Sequence, residues 1–222
     1  MARRSDHTKE ELQDLIVSET MKLVDEFGAT NLRARDIAAR IGYAPGTLYT
    51  HFDNLGAILL QVNVRILVRL RTQIQGAIDS AHDPTDRLLE MGYAYLGFAE
   101  AHPNWFALLF NHKLKQGQVV PAHLQEIVDG LFDLVRTELA ALDPKATAAE
   151  LELGVRALWS GVHGICALSL SDRVVTQRWR ADRFVLKTLV NHFLASWPYA
   201  ASRRERSETA GGLPTRATAG DD

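Results

Sequence analysis

Residues 28–52 read GATNLRARDIAARIGYAPGTLYTHF, and this stretch decides how the whole chain is interpreted. It divides into two short helical segments separated by a turn at Gly42, which is the plan of a helix-turn-helix. Ala38 is small enough to let the two helices cross closely, and glycine adopts the left-handed backbone that a tight turn needs. Pro45 suits the first turn of the helix that follows. A small core between the helices is predicted from three apolar residues, Ile37, Ile41 and Leu48.

The rest of the chain is predicted to be all-α, because apolar residues recur at helical spacing and no convincing stretch alternates as a strand does. About nine helices are expected: residues 10–27, 33–41, a short helix opened by Pro45, then 55–81, 85–101, 104–112, 121–142, 147–171 and 181–197. Gly28 and Gly42 are interpreted as helix stops. Asp53 and Asn54 are cap residues before the long fourth helix.

Charge is distributed locally. The 222 residues carry a formal net charge of −2, so the chain as a whole lacks the basic balance of many nucleic-acid binders. Residues 33–52 are different, because three arginines (Arg33, Arg35 and Arg40) stand against Asp36 alone, a net charge of +2. A small docking face needs only such a local excess.

The cysteine count, the first residues and the lengths of the apolar runs indicate where in the cell the protein is expected. A single cysteine, Cys166, excludes an intramolecular disulfide and fits a reducing cytoplasm. The first residues contain arginines with no apolar segment after them, so no signal peptide is predicted. No apolar run reaches the roughly 18 residues of a membrane span. We therefore expect a cytoplasmic protein without membrane contact.

The helix-turn-helix resembles the DNA-binding domain of the TetR regulator family. The resemblance runs through RDIA at 35–38, Gly42, GTLY at 46–49 and HF at 51–52. In that family the third helix lies in the major groove of double-stranded DNA. The resemblance implies a set of DNA-binding residues, which are Arg33, Arg35, Gly46, Thr47, Tyr49, Thr50 and His51.

Some of these residues have plainer alternatives. Tyr49 can be a packing residue, His51 a helix cap, and Arg35 a member of an ion pair. The sequence also departs from the family pattern at three positions, Arg33, Ala44 and Leu55. Ala44 removes a capping hydroxyl, worth roughly 0.5–2 kcal/mol. Leu55 replaces a lysine that touches phosphate, so the salt dependence of DNA binding is expected to be shallower.

A second resemblance lies at residues 158–165, LWSGVHGI, which are similar to the Trp-x-x-x-His-Gly (WHG) motif of a subgroup of TetR C-terminal domains. Trp159 and His163 are four residues apart and share one helical face. Gly161 and Gly164 thin another face, where a second helix can approach. The resemblance implies that the last two long helices of each subunit form a four-helix homodimer interface.

The family often carries an effector pocket in the larger domain. The residues that could line it are mostly aromatic: Tyr95, Phe98, Trp105, Phe106, Phe110, Trp159 and His163. A plain helical core is the alternative. The spacing of His163 and Cys166 suits metal ligands, but a lone pair is weak evidence, so no metal and no cofactor is expected.

The predicted organisation is a helix-turn-helix DNA-binding domain over residues 1–54, a ligand-binding and dimerisation domain over 55–200, and a disordered tail over 201–222. The predicted function is a repressor that binds a pseudo-palindromic operator as a homodimer and is released by an unknown small molecule. An enzyme is disfavoured because no phosphate loop, nucleophile elbow or catalytic carboxylate pair is recognisable. The remaining alternative is a helical interaction protein that has lost operator binding.

Overall fold

The computed structural model describes residues 7–111, 122–171 and 182–197. Over these ranges the chain forms nine α-helices and no strand, which confirms the predicted all-α fold. In chain order the helices are α1 (Lys9–Phe27), α2 (Ala34–Ile41), α3 (Pro45–Leu48), α4 (Leu55–Asp79), α5 (Pro84–Ala101), α6 (Pro103–Asn111), α7 (Ala122–Leu142), α8 (Ala148–Ser169) and α9 (Asp182–Ala195). None of the described helices is both long and apolar enough to cross a membrane. The predicted tail, 201–222, lies outside the described residues.

Helices α1, α2 and α3, together with the start of α4, enclose a small core. Gly42 ends α2 with a φ of 76°, a left-handed conformation that glycine adopts without steric cost, and its position matches the predicted turn. The amide of Tyr43 donates to the Ala38 carbonyl across this turn. The buried residues of the small core are Leu12, Ile16, Leu23, Ile37, Ala38, Leu48 and Ile58.

Helix α3 contains only the four residues Pro45–Leu48, so Tyr49 and Phe52 lie beyond its end. After Leu48 the chain continues as a tight turn in which the amides of Tyr49, Thr50 and His51 each donate to the carbonyl three residues earlier. The Thr50 hydroxyl donates to the Thr47 carbonyl, 2.7 Å away, and so competes with helical bonding of the backbone. The turn therefore adopts the tighter i→i+3 pattern.

The second core is larger and begins on the other face of α1. Val17, Met21 and Val24 of α1 pack with buried residues of α4, α5, α6, α8 and α9. Helix α4 begins at the predicted cap, where the Asn54 side chain accepts from the Ala57 amide at 3.0 Å. Leu55, the next residue, packs against both cores. Helices α1 and α4 are therefore the shared walls between the helix-turn-helix and the rest of the molecule.

The glycines of α8 have different surroundings. A Cβ atom on Gly161 would lie 2.6 Å from Leu189 Cδ2 of α9, so the missing side chain allows these helices to approach closely. A Cβ on Gly164 would meet nothing within 4 Å. The close helix approach expected at Gly161 is therefore made by α9 of the same chain. At Gly164 none of the other described helices of the same chain comes close.

Candidate nucleic-acid interface and adjacent cavity

The predicted DNA-binding residues lie on α2, α3 and the turn that follows. Leu48 is completely buried and anchors this segment in the small core, while Tyr49 next to it keeps 51% of its surface exposed. His51 is half-buried. The other residues of the set are exposed or, for Thr47, half-buried: Arg33, Arg35, Gly46, Thr47 and Thr50. Polar and aromatic side chains are thus exposed on both sides of Leu48 in the sequence, while Leu48 itself holds the segment in the small core.

The arginines of this segment are not equivalent. Arg40 forms two hydrogen bonds with the Glu26 carboxylate of α1, at 3.2 and 2.6 Å. This contact lowers the pKa of Glu26 and raises the pKa of Arg40. The side chain of Arg35 is 67% exposed, and its nearest carboxylate oxygen, on Asp36, is 3.9 Å away. The sequence-based charge of +2 therefore overstates the free positive charge, because Arg40 is neutralised locally.

Backbone donors at the start of α3 are few. Pro45 has no N–H, and the Thr47 amide already donates to the Ala44 carbonyl at 2.9 Å. Ala44 supplies no side-chain cap, as its residue type predicts. A phosphate at this helix would therefore be held mainly by side chains.

The turn after α3 is braced from α1. The Gln13 side chain of α1 donates to the His51 carbonyl of this turn at 3.4 Å. At the start of α2, the Asp36 carboxylate accepts from the Arg33 amide at 2.9 Å. Tyr43, in the turn between α2 and α3, is hydrogen-bonded through its hydroxyl to His7 Nδ1 at 2.9 Å. These contacts fix the backbone that carries the exposed residues.

A cavity of about 130 Å³ lies within the larger core, between α4, α5, α6, α7 and α8. Three of the predicted pocket residues, Tyr95, Phe110 and Trp159, belong to its wall. The other wall residues are all apolar or glycine: Leu67, Leu70, Ile74, Leu88, Met91, Gly92, Val128, Leu131, Phe132, Val135, Leu158 and Val162. Most of the wall is thus aliphatic, which the aromatic residues of the sequence did not indicate.

His163 and Phe106 form a layer behind this wall. His163 Nδ1 lies 3.0 Å from the Tyr95 hydroxyl, and the imidazole stacks on the Trp159 ring at a centroid distance of 5.1 Å. It also stacks on Phe106 at 5.4 Å. Burial lowers the pKa of His163 and raises that of the Tyr95 phenol. Near neutral pH both groups are therefore uncharged hydrogen-bonding partners.

Phe98 and Trp105, the remaining predicted pocket residues, pack toward α1 and not around the cavity. The Trp105 indole N–H donates to the Met21 carbonyl at 3.0 Å, and its ring stacks on His102 at 3.9 Å. Phe98 lies against both of these rings. Within the described residues, no group of three or more His, Cys, Asp or Glu side chains is arranged to hold a metal ion.

The start of α6 forms a polar junction with the end of α1 that the sequence did not reveal. The Asn104 side chain donates to the Asp25 carbonyl at 2.7 Å, and His102 Nδ1 lies 3.2 Å from the Asp25 carboxylate. In the sequence His102 and Pro103 indicate only a helix break. Helix α6 therefore contacts α1 at one end and the cavity, through Phe110, at the other.

Comparisons with known proteins agree with this architecture. Residues 16–62 match the model described as bacterial regulatory proteins of the tetR family, and residues 88–190 match the Tetracyclin repressor-like C-terminal domain. The uncharacterized HTH-type transcriptional regulator YobS of Bacillus subtilis is 26% identical over 163 residues, covering 72% of this chain and 82% of that protein. The nucleoid occlusion factor SlmA of Vibrio campbellii is 24% identical over 112 residues, or 50% and 56% of the two chains.

Solved structures show the same fold. The TetR family regulator PfmR from Thermus thermophilus superposes with a TM-score of 0.58 at 19% identity, over 81% of this chain and 97% of that one. A tetR-family regulator from Streptomyces coelicolor gives a TM-score of 0.64 at 18% identity, over 89% and 88%. Since the two family models match both the helix-turn-helix and most of the larger domain, the chain belongs to the TetR family of DNA-binding transcriptional regulators.

Proposed function

We propose that this regulator is a repressor that binds a pseudo-palindromic operator as a homodimer and is released by a small molecule. The observation that carries the DNA-binding site is the exposed face next to the buried anchor Leu48. The proposed contact residues are Arg33, Arg35, Gly46, Thr47, Tyr49, Thr50 and His51. Tyr49 and Arg35 are the strongest candidates for phosphate contacts, because both side chains are exposed and rise from short, braced elements.

The homodimer is proposed to form through α8 and α9. On α8 a stripe of mostly small or apolar residues recurs at helical spacing: Leu153, Ala157, Ser160 and Ala167, which are exposed, and Gly164, which is half-buried. Leu153 is 67% exposed, and Phe184 of α9 is 72% exposed. Apolar surface of this kind is typical of protein interfaces. A two-fold dimer would place two recognition segments about one DNA turn apart.

The cavity is proposed as the effector site of the domain spanning residues 55–200, with residues 1–54 as the DNA-binding domain. Helix α6 supports this role because it contacts both the cavity and α1. A ligand that binds one arrangement of α6 more tightly weakens DNA binding by that difference in affinity and no more. The stacking of Trp159 on His163, followed by Gly164, also supports placing the chain in the WHG-motif subgroup.

The test is the affinity of the purified protein for DNA from its own upstream region, at several salt concentrations, beside a Tyr49→Ala variant. We expect saturable, sequence-selective binding by the wild type and a loss of at least about tenfold in the variant. Thr72→Ala, on an exposed part of α4, is the matched control and should bind normally. Weak, sequence-blind binding that is equal in all three proteins would instead favour the helical interaction protein.

A further inference from the structure

The wall of the cavity offers no charge to a ligand. Apart from Gly92, the Met91 thioether, the Tyr95 hydroxyl and the Trp159 indole N–H, it consists of hydrocarbon side chains. An ion pair that joins α5 to α7, between Arg87 and Glu138, is made at 2.9 Å and is not part of the wall. An ionised ligand group would lose its hydration here without gaining a counter-ion, so its binding is disfavoured relative to a neutral group of the same size.

Arg71 of α4 is a cation that lies outside the wall but on a helix that contributes to it. Its guanidinium lies 3.2 Å from the position that a Cβ on Gly130 of α7 would occupy. Arg71 is exposed and does not belong to the wall. A carboxylate ligand that reached Arg71 is therefore the sharpest competing possibility.

Tyr95 supplies one polar contact. Its hydroxyl lies 3.0 Å from His163 Nδ1. When Tyr95 donates to a neutral His163, its oxygen has two acceptor positions; the Trp159 indole N–H is close enough to donate to one of them, and the other can accept a hydrogen bond from a ligand. A ligand hydroxyl can supply that hydrogen bond, so an alcohol suits this site better than a pure hydrocarbon does.

The volume limits the ligand to roughly one ring. About 130 Å³ is close to the engineered apolar cavity of about 150 Å³ that binds benzene. Phe110, at the cavity wall, is 40% exposed, so the cavity approaches the surface at the end of α6. We infer that the cavity binds an uncharged, single-ring hydrocarbon that carries one hydroxyl group, with Tyr95 as its polar contact. The regulatory consequence of this binding rests on the proposed function.

Four probes of similar size separate the effect of a hydroxyl group on binding from the effect of a negative or a positive charge. They are toluene, benzyl alcohol, benzoate and benzylammonium. Their dissociation constants are measured on the full chain by calorimetry or ligand-observed NMR. Benzyl alcohol should bind most tightly, toluene next, and the two ions at least tenfold more weakly than benzyl alcohol. Tyr95→Phe should weaken benzyl alcohol to the level of toluene and leave toluene unchanged.

Two filling variants test the location, Val128→Phe and Val135→Phe, both on α7. Each should weaken both neutral probes at least tenfold, and a cooperative urea transition shows that the variant is folded. If Val128→Phe does not fold, Val135→Phe alone tests whether the probes bind in this cavity. If a filling variant is folded and still binds toluene and benzyl alcohol as the wild type does, the probes bind outside the cavity and the proposed site is wrong.

Equal or tighter binding of either ion would overturn the predicted ligand class, and benzyl alcohol binding that is indifferent to Tyr95→Phe would overturn the polar contact. Absence of binding by every probe would overturn the inference as a whole. Binding of neutral probes that leaves the operator complex intact would instead refute only the effector role. Failure of the wild type to bind its operator refutes the proposed function independently of the probes.

Discussion

At the scale of single residues, the two exposed arginines of α2 show how surroundings determine chemical role. Arg40 lies against Glu26 and is held by two hydrogen bonds. Arg35 lies five positions earlier on the same helix, and its side chain extends into solvent. The same residue type can thus stabilise the domain at one position and be available to DNA at the other.

This difference makes a prediction for salt dependence. Arg35→Gln should weaken operator binding and reduce the slope of log affinity against log salt by about 1.8, because the dimer would lose one phosphate contact, worth about 0.9, from each subunit. Arg40→Gln is the matched control and should change the slope little, because Arg40 is already paired. Fluorescence anisotropy titrations at several salt concentrations measure both. Equal slopes for Arg35→Gln and the wild type would exclude a phosphate contact by Arg35.

His163 makes a prediction for pH. Burial lowers its pKa below the ordinary value of 6.5, so the unfolded chain binds this proton more tightly than the native protein does. Its contribution to stability is complete above pH 6.5 and is lost as the pH falls toward the native pKa. The wild type should therefore lose more unfolding free energy between about pH 7.5 and about pH 5.5 than His163→Gln does.

Urea unfolding at the two pH values measures this loss. His192→Gln removes an exposed imidazole from α9 and is the control for the loss of a histidine, so it should behave as the wild type does. A pH dependence that is the same in His163→Gln would show that this imidazole is equally basic in both states.

At the scale of helices, the missing side chains of α8 determine how closely its neighbours pack. A Cβ on Gly154 would lie 2.6 Å from the Trp197 ring and 3.2 Å from Leu139. The Trp197 indole is itself fixed, because its N–H donates to the Leu139 carbonyl at 3.2 Å. A ring held in this way cannot yield as a flexible side chain does.

We therefore expect Gly154→Ala to destabilise the fold by about 1–3 kcal/mol through overpacking, although alanine is the better helix former. Gly76→Ala on α4 is the matched control, since a Cβ there meets nothing within 4 Å. It should stabilise by about 0.5–1 kcal/mol. Urea unfolding compares the two variants, and a stabilised Gly154→Ala would mean that Trp197 moves aside at little cost.

At the scale of the whole molecule, exposed apolar residues on α8 and α9 bear on assembly. Phe184 and Val185 of α9 and Leu153 and Leu168 of α8 are all exposed, and an apolar patch that several large side chains share is typical of an interface. Val68 of α4 is also exposed, at 47%, but lies outside this pair of helices. A charge placed on α9 can therefore be compared with a charge placed at Val68, an exposed apolar residue outside the proposed interface.

Phe184→Glu should weaken the homodimer at least about tenfold, because it introduces a charge into an apolar contact. Operator affinity should fall with it, since both half-sites must be occupied by one dimer. Val68→Glu should remain dimeric. Sedimentation velocity over a range of protein concentrations measures the assembly. A Phe184→Glu variant that dimerises normally would place the interface elsewhere.

Much of the fold could be predicted because its signals are local. Gly42 ends α2 and Asn54 caps α4 through contacts made within one turn of chain. Apolar periodicity indicates each helix, and the helix-turn-helix lies within 25 consecutive residues, so its motif could be found in one sequence. Short-range hydrogen bonds and helical spacing depend on neighbouring residues alone.

Contacts between distant residues were decided by tertiary structure. Arg40 meets Glu26 only because α2 crosses α1, and Asn104 meets Asp25 only because α6 packs on the end of α1. The aromatic side chains of α5 and α6 divide between the cavity and the α1 junction according to the packing of both helices. These outcomes follow from how whole helix faces interlock, and no single stretch of sequence contains that information.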